Sequence, residues 1–131
     1  MRELFNLGIS DRTIYSMIEL SPEIINVRDN VVLHKVEILQ SIGCSDSQII
    51  NIISSNPNYL LISDTHLAEL FNYLSKIGFT SLNTLFDGNP YILDLTANNI
   101  KQHIDLKLSK GENIESIVEE LEANPYLFSE I

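Results

Sequence analysis

Residues 56–61 read NPNYLL, residues 89–94 NPYILD, residues 124–129 NPYLFS and residues 21–26 SPEIIN. These phrases hold all four prolines of the 131-residue chain, Pro22, Pro57, Pro90 and Pro125, at intervals of 35, 33 and 35. Four of the five glycines keep the same beat: Gly8, Gly43, Gly78 and Gly111, at intervals of 35, 35 and 33. Each glycine leads its proline by 14 residues, except Gly78, which leads by 12. Two markers in phase identify an internal repeat, and a period near 35 points to stacked helical units.

The residues between the markers define the unit. Eight before the proline stand Ile14, Ile49, Leu82 and Ile117; four before it stand Ile18, Ile53, Phe86 and Leu121. A spacing of four places each pair on one face of a helix. Two after the glycine come Ser10, Ser45, Thr80 and Asn113, all good helix N-caps, and Ser45 with Gln48 makes a capping-box pattern. A first helix precedes the glycine, carrying Val36, Leu39 and Ile42 in the second unit and Phe71, Leu74 and Ile77 in the third. The glycine ends that helix by taking a left-handed conformation. The proline ends the second helix, because it lacks an N–H and pushes the residue before it out of the helical region. The chain then restarts as a short 3₁₀ segment. Its two apolar residues, such as Tyr59–Leu60 or Ile24–Ile25, are expected to dock on the helices.

The expected fold is therefore all-α: an α-solenoid of four helix–helix–3₁₀ units at about 1–30, 31–65, 66–98 and 99–131, forming one domain. The first unit has only seven residues before Gly8, so its first helix is cut short. Leu4, Phe5 and Leu7 are expected to lie on the face this leaves open, and weak self-association through that end follows. The fourth unit is polar where the others are apolar. Lys107 and Lys110 replace leucine and isoleucine, and Glu112, Glu115, Glu119, Glu120 and Glu122 make it the most acidic. Repeat stacks need such polar ends to stay soluble.

Charge bounds the partners. Eighteen acids against eight bases give a net charge of −10. Nucleic acids and anionic membranes are held through clustered Lys and Arg. The longest apolar run, Tyr59–Ile62, is far short of the roughly 20 residues of a membrane span. The start, MRELFNLG, shows neither a signal core nor a transit pattern, so the expected setting is cytoplasmic. A single cysteine, Cys44, leaves no internal disulfide and is expected in the core.

The stretches LQSIGCSDSQIINIISSNPNYLL (39–61) and LSKIGFTSLNTLFDGNPYIL (74–93) resemble the mitochondrial transcription termination factor (mTERF) repeat, and the likeness extends over almost the whole chain. The resemblance implies a solenoid of three-helix units. It also implies a nucleic-acid-binding surface, usually for duplex DNA, in organellar gene expression. Family members of that kind are basic, whereas this chain is acidic.

Phosphate binding by a repeat protein calls for bases at one repeat position in successive units. Here they scatter; Lys35 and Lys76, eight and two before their glycines, are the candidate nucleic-acid contacts. An acidic position does recur three before the proline, at Glu19, Asp87 and Glu122, and forms a candidate ridge for a basic partner. Tyr91 and Tyr126, each following a proline, are expected to be partly packed. His34, His66 and His103 fall at different repeat positions without a second ligand at metal spacing, and are expected at the surface or at helix caps. No nucleophile motif or phosphate loop is present. The expected function is thus a non-catalytic, cofactor-free binding module with a protein or peptide partner; the alternative is nucleic-acid binding in transcription.

Overall fold

The computed structural model describes residues 1–131. The fold is all-α, without β-strands, and the order helix, helix, 3₁₀ segment occurs four times. The elements are α1 (Arg2–Asn6), α2 (Asp11–Leu20), η1 (Pro22–Asn26), α3 (Asp29–Ser41), α4 (Asp46–Ser55) and η2 (Pro57–Leu61), followed by α5 (Asp64–Ile77), α6 (Leu82–Gly88), η3 (Pro90–Asp94), α7 (Ala97–Ser109), α8 (Ile114–Ala123) and η4 (Pro125–Glu130). They form two compact units, Met1–Ile62 and Ser63–Ile131, each holding two repeats. No helix is long and apolar enough to cross a membrane.

The two punctuation marks act as their chemistry requires. Gly8, Gly43, Gly78 and Gly111 have φ of 96°, 93°, 120° and 92°, a region that side chains with a Cβ rarely enter. The residue after each glycine bonds back to the carbonyl five positions earlier: Ile9 to Leu4, Cys44 to Leu39, Phe79 to Leu74 and Glu112 to Lys107, at 3.0–3.3 Å. This Schellman closure brings the two side chains of each pair together. In the first three repeats both are buried and apolar; in the fourth they are a salt bridge, Lys107–Glu112, at 3.9 Å. At the other mark, Ser21, Asn56, Asn89 and Asn124 leave the helical region, with φ between −131° and −152°. Each carbonyl then accepts the first bond of the 3₁₀ turn, as from Tyr59 N to Asn56 O at 3.0 Å.

Within each unit, elements pack on their counterparts in the neighbouring repeat. In the first unit α1 meets α3, α2 meets α4 and η1 meets η2. In the second α5 meets α7 and η3 meets η4, while α6 also meets η4. Tyr59, Leu60, Ile92, Leu93 and Phe128 are buried, as the docking reading requires. Two ring pairs, Phe71–Phe86 and Phe79–Phe128, lie at centroid distances of 5.4 and 5.8 Å.

Three sequence expectations are corrected. The cap of α6 is Ser81, without a side-chain bond, not Thr80; the two residues missing between Gly78 and Pro90 shorten the start of that helix. Leu4 is fully buried rather than exposed, because α1, short as it is, lies against α3. Ile25 is exposed rather than docked. The asparagines before proline also do more than end helices. Asn89 Nδ2 donates to the Pro125 carbonyl and to Ser129 Oγ, both at 3.0 Å, while its Oδ1 accepts from Tyr91 N. We expect Asn89→Ala to cost about 1–3 kcal/mol in urea unfolding, since it leaves buried polar groups without partners.

Candidate binding surfaces

Lys35 and Lys76 occupy different environments. Lys76 is exposed in the last turn of α5. Lys35 is only 3% exposed, in the middle of α3. Its Nζ donates to the Ile62 carbonyl just beyond η2 and lies 5.7 Å from the centre of the Tyr59 ring. The Tyr59 hydroxyl donates in return to the Lys35 carbonyl, at 2.6 Å. Lys35 is therefore a brace between α3 and η2, out of reach of a phosphate, and the expectation that it contacts nucleic acid is corrected. A signal for this was present: Val32, Lys35, Val36 and Leu39 share the spacing of one helix face, and the same repeat position in the next unit is Leu70.

The three acids of the ridge do not share one environment. Glu19 and Glu122 are exposed, and Asp87 is half-buried. The second repeat has Ser54 there, whose buried hydroxyl has no hydrogen-bond partner. A broader pattern matters more. In the second unit, α6, η3, α8 and η4 carry seven acids and no Lys or Arg, whereas α5 and α7 carry three of each. In the first unit the contrast is weaker, with four acids against Arg12 on α2, η1, α4 and η2, and three acids against Arg2 and Lys35 on α1 and α3. Charge is thus segregated by element class in the second unit, a pattern that no single repeat position carries.

Tyr91 and Tyr126 lie on the acidic elements η3 and η4. They are 53% and 64% exposed, so the expected packing is corrected. The residue after the proline faces solvent in every repeat, at Glu23, Asn58, Tyr91 and Tyr126. Tyr91 borders a hollow of about 200 Å³ with Asn89, Ile92, Leu95, Phe128 and Ser129. A second hollow, of about 60 Å³, is bordered by His103, Lys107, Glu120 and Glu130. Both are smaller than the roughly 300 Å³ at which small-molecule sites begin.

The histidines are structural or peripheral. His66 Nε2 lies 3.0 Å from the Leu93 carbonyl, tying α5 to η3, a link beyond the surface or cap role expected for it. His103 is half-buried and His34 exposed. No group of three or more His, Cys, Asp or Glu side chains is placed to hold a metal ion, and Cys44 is buried. The titration shifts have local causes. The N-terminal ammonium, 3.2 Å from Asp29, holds that carboxyl below the usual range. Asp105, 2.7 Å from Lys101, raises that ammonium, and burial, followed by the charge of Asp105, raises Tyr73.

A family model described as mTERF matches residues 1–127. No curated protein and no solved structure matches the chain.

Proposed function

Because the chain belongs to the mTERF family, whose model spans residues 1–127, we propose that it acts as a non-catalytic helical-repeat binding module whose preferred partner is a basic protein or peptide segment. The observation that carries this reading is the charge segregation in the second unit: seven acids, no bases and two exposed tyrosines on α6, η3, α8 and η4. Carboxylates attract Lys and Arg by Coulomb forces and steer their approach. Tyrosine faces add cation–π attraction for the same groups.

Nucleic-acid binding is the second reading, and family membership favours it. In this chain it would fall to α5 and α7, where Lys76 is exposed. Lys101 and Lys107 on α7 already pair with Asp105 and Glu112.

A fluorescently labelled Lys/Arg-rich peptide tests the first reading. We expect saturable, salt-sensitive binding that weakens several-fold in the double variant Glu119→Lys, Glu122→Lys. Both positions are exposed, so the fold is kept. Binding that ignores this charge reversal, or no binding at low salt, contradicts the proposal.

A further inference from the structure

One hollow on the acidic elements of the second unit collects hydrogen-bonding groups that the fold leaves unused. It measures about 210 Å³ and is bordered by Ser81, Thr84 and Leu85 of the third repeat and by Glu122 of the fourth. Leu85 is buried, and the other three are exposed. Ser10, Ser45 and Asn113, the caps of α2, α4 and α8, each accept a backbone N–H of the first turn with a side-chain oxygen. Ser81, the cap of the shortened α6, makes no such bond. The Thr84 hydroxyl and the Glu122 carboxylate likewise bond to no other group of the chain.

The same repeat positions in the first unit are arranged otherwise. Ser81, Thr84 and Leu85 precede Pro90 by nine, six and five residues, and Thr13, Ser16 and Met17 precede Pro22 by the same distances. There the Thr13 Oγ1 accepts from Ser10 Oγ at 3.0 Å, and Ser16 Oγ donates to the Arg12 carbonyl at 3.2 Å. The counterpart of Glu122 is Ser54, a neutral residue. Charge sharpens the contrast. In the second unit α6 and α8 carry five acids and no Lys or Arg. Glu115, Glu119 and Glu122, at spacings of four and three, fall on one stripe of α8.

We propose that this hollow anchors a lysine side chain of the basic protein or peptide partner, an inference that rests on the basic-partner reading above. The lysine stem is apolar and lies against Leu85, while its charged head stays at the rim. An ammonium has three donors and no acceptor, which matches the three acceptors Glu122 carboxylate, Ser81 Oγ and Thr84 Oγ1. The planar fork of arginine suits one carboxylate edge rather than three separate oxygens around a small hollow. Two labelled peptides of equal length and charge test this, one with only lysine and one with only arginine at its basic positions. The parent protein is expected to bind the lysine peptide several-fold more tightly at low salt. The double variant Ser81→Ala, Thr84→Val keeps the net charge and lowers lysine-peptide affinity to the arginine level. It leaves the arginine peptide and the helical circular dichroism spectrum unchanged. Ser16→Ala, at the first-unit counterpart of Thr84, changes the affinity of neither peptide. Equal affinity of the parent for both peptides, or a lysine preference that survives loss of both hydroxyls, overturns the lysine anchor and leaves the basic-partner reading standing. Binding of neither peptide overturns both.

Discussion

Lys35→Glu is expected to lower the unfolding free energy by about 3–5 kcal/mol, the range for a buried charge stripped of its partner. The new carboxylate would stand where an ammonium now donates to the Ile62 carbonyl, beside the Tyr59 ring. Carboxylate and carbonyl oxygens both accept, so neither is satisfied, and at 3% exposure water reaches them poorly. Lys76→Glu, at an exposed site, should shift stability by no more than about 0.5 kcal/mol. Urea unfolding of the two variants checks this, and equal midpoints would refute the assignment of Lys35 as a brace. The comparison has a practical consequence. Loss of any activity in Lys35→Glu would report unfolding rather than a lost contact, so charge-reversal tests of nucleic-acid binding belong at Lys76 and Lys110.

Tyr59→Ala carries the second large expectation, a loss of about 3–5 kcal/mol, in the range for large buried aromatic side chains. Tyr59 is fully buried, and its hydroxyl closes the link to α3. Leu60→Ala, one residue on, should cost about 2–5 kcal/mol. Tyr91→Ala removes a similar side chain from a similar phrase, but the register differs by one. Tyr59 is two after its proline and points inward; Tyr91 is one after and points out. Its removal should stay within about 0.5 kcal/mol. Parallel urea curves with matching midpoints for the two tyrosine variants would show that the 3₁₀ segments do not dock as described.

These contrasts show where the sequence was legible. Glycine and proline restrict the backbone itself, so their phase reads directly as helix ends, and Ser10, Ser45 and Asn113 cap as their types suggest. Legibility fails where a residue type and its surroundings disagree. Lysine is normally a surface residue, yet the long apolar stem of Lys35 lies on the buried stripe of α3 and its head finds a carbonyl. Thr80 keeps the right distance from its glycine, but the local deletion moves the helix start past it. Leu4 could be read as bare only by overlooking the partner that α3 supplies. The candidate surface was partly hidden for a different reason. Counting by single repeat position isolates Glu19, Asp87 and Glu122, while the segregation of charge emerges only when side chains are grouped by the element that carries them.

The central claim is that this mTERF-family chain prefers basic partners to phosphate backbones, and an anisotropy titration with random and AT-rich DNA duplexes tests it most directly. Gripping a duplex requires several neutralised phosphates, with affinity that falls steeply as salt rises. Repulsion by the net charge of −10 acts over about 8 Å at physiological ionic strength. The account predicts no duplex binding tighter than about 10 μM at physiological salt, weaker than typical specific complexes. Submicromolar, salt-sensitive binding that disappears in a folded Lys76→Glu, Lys110→Glu variant would contradict it.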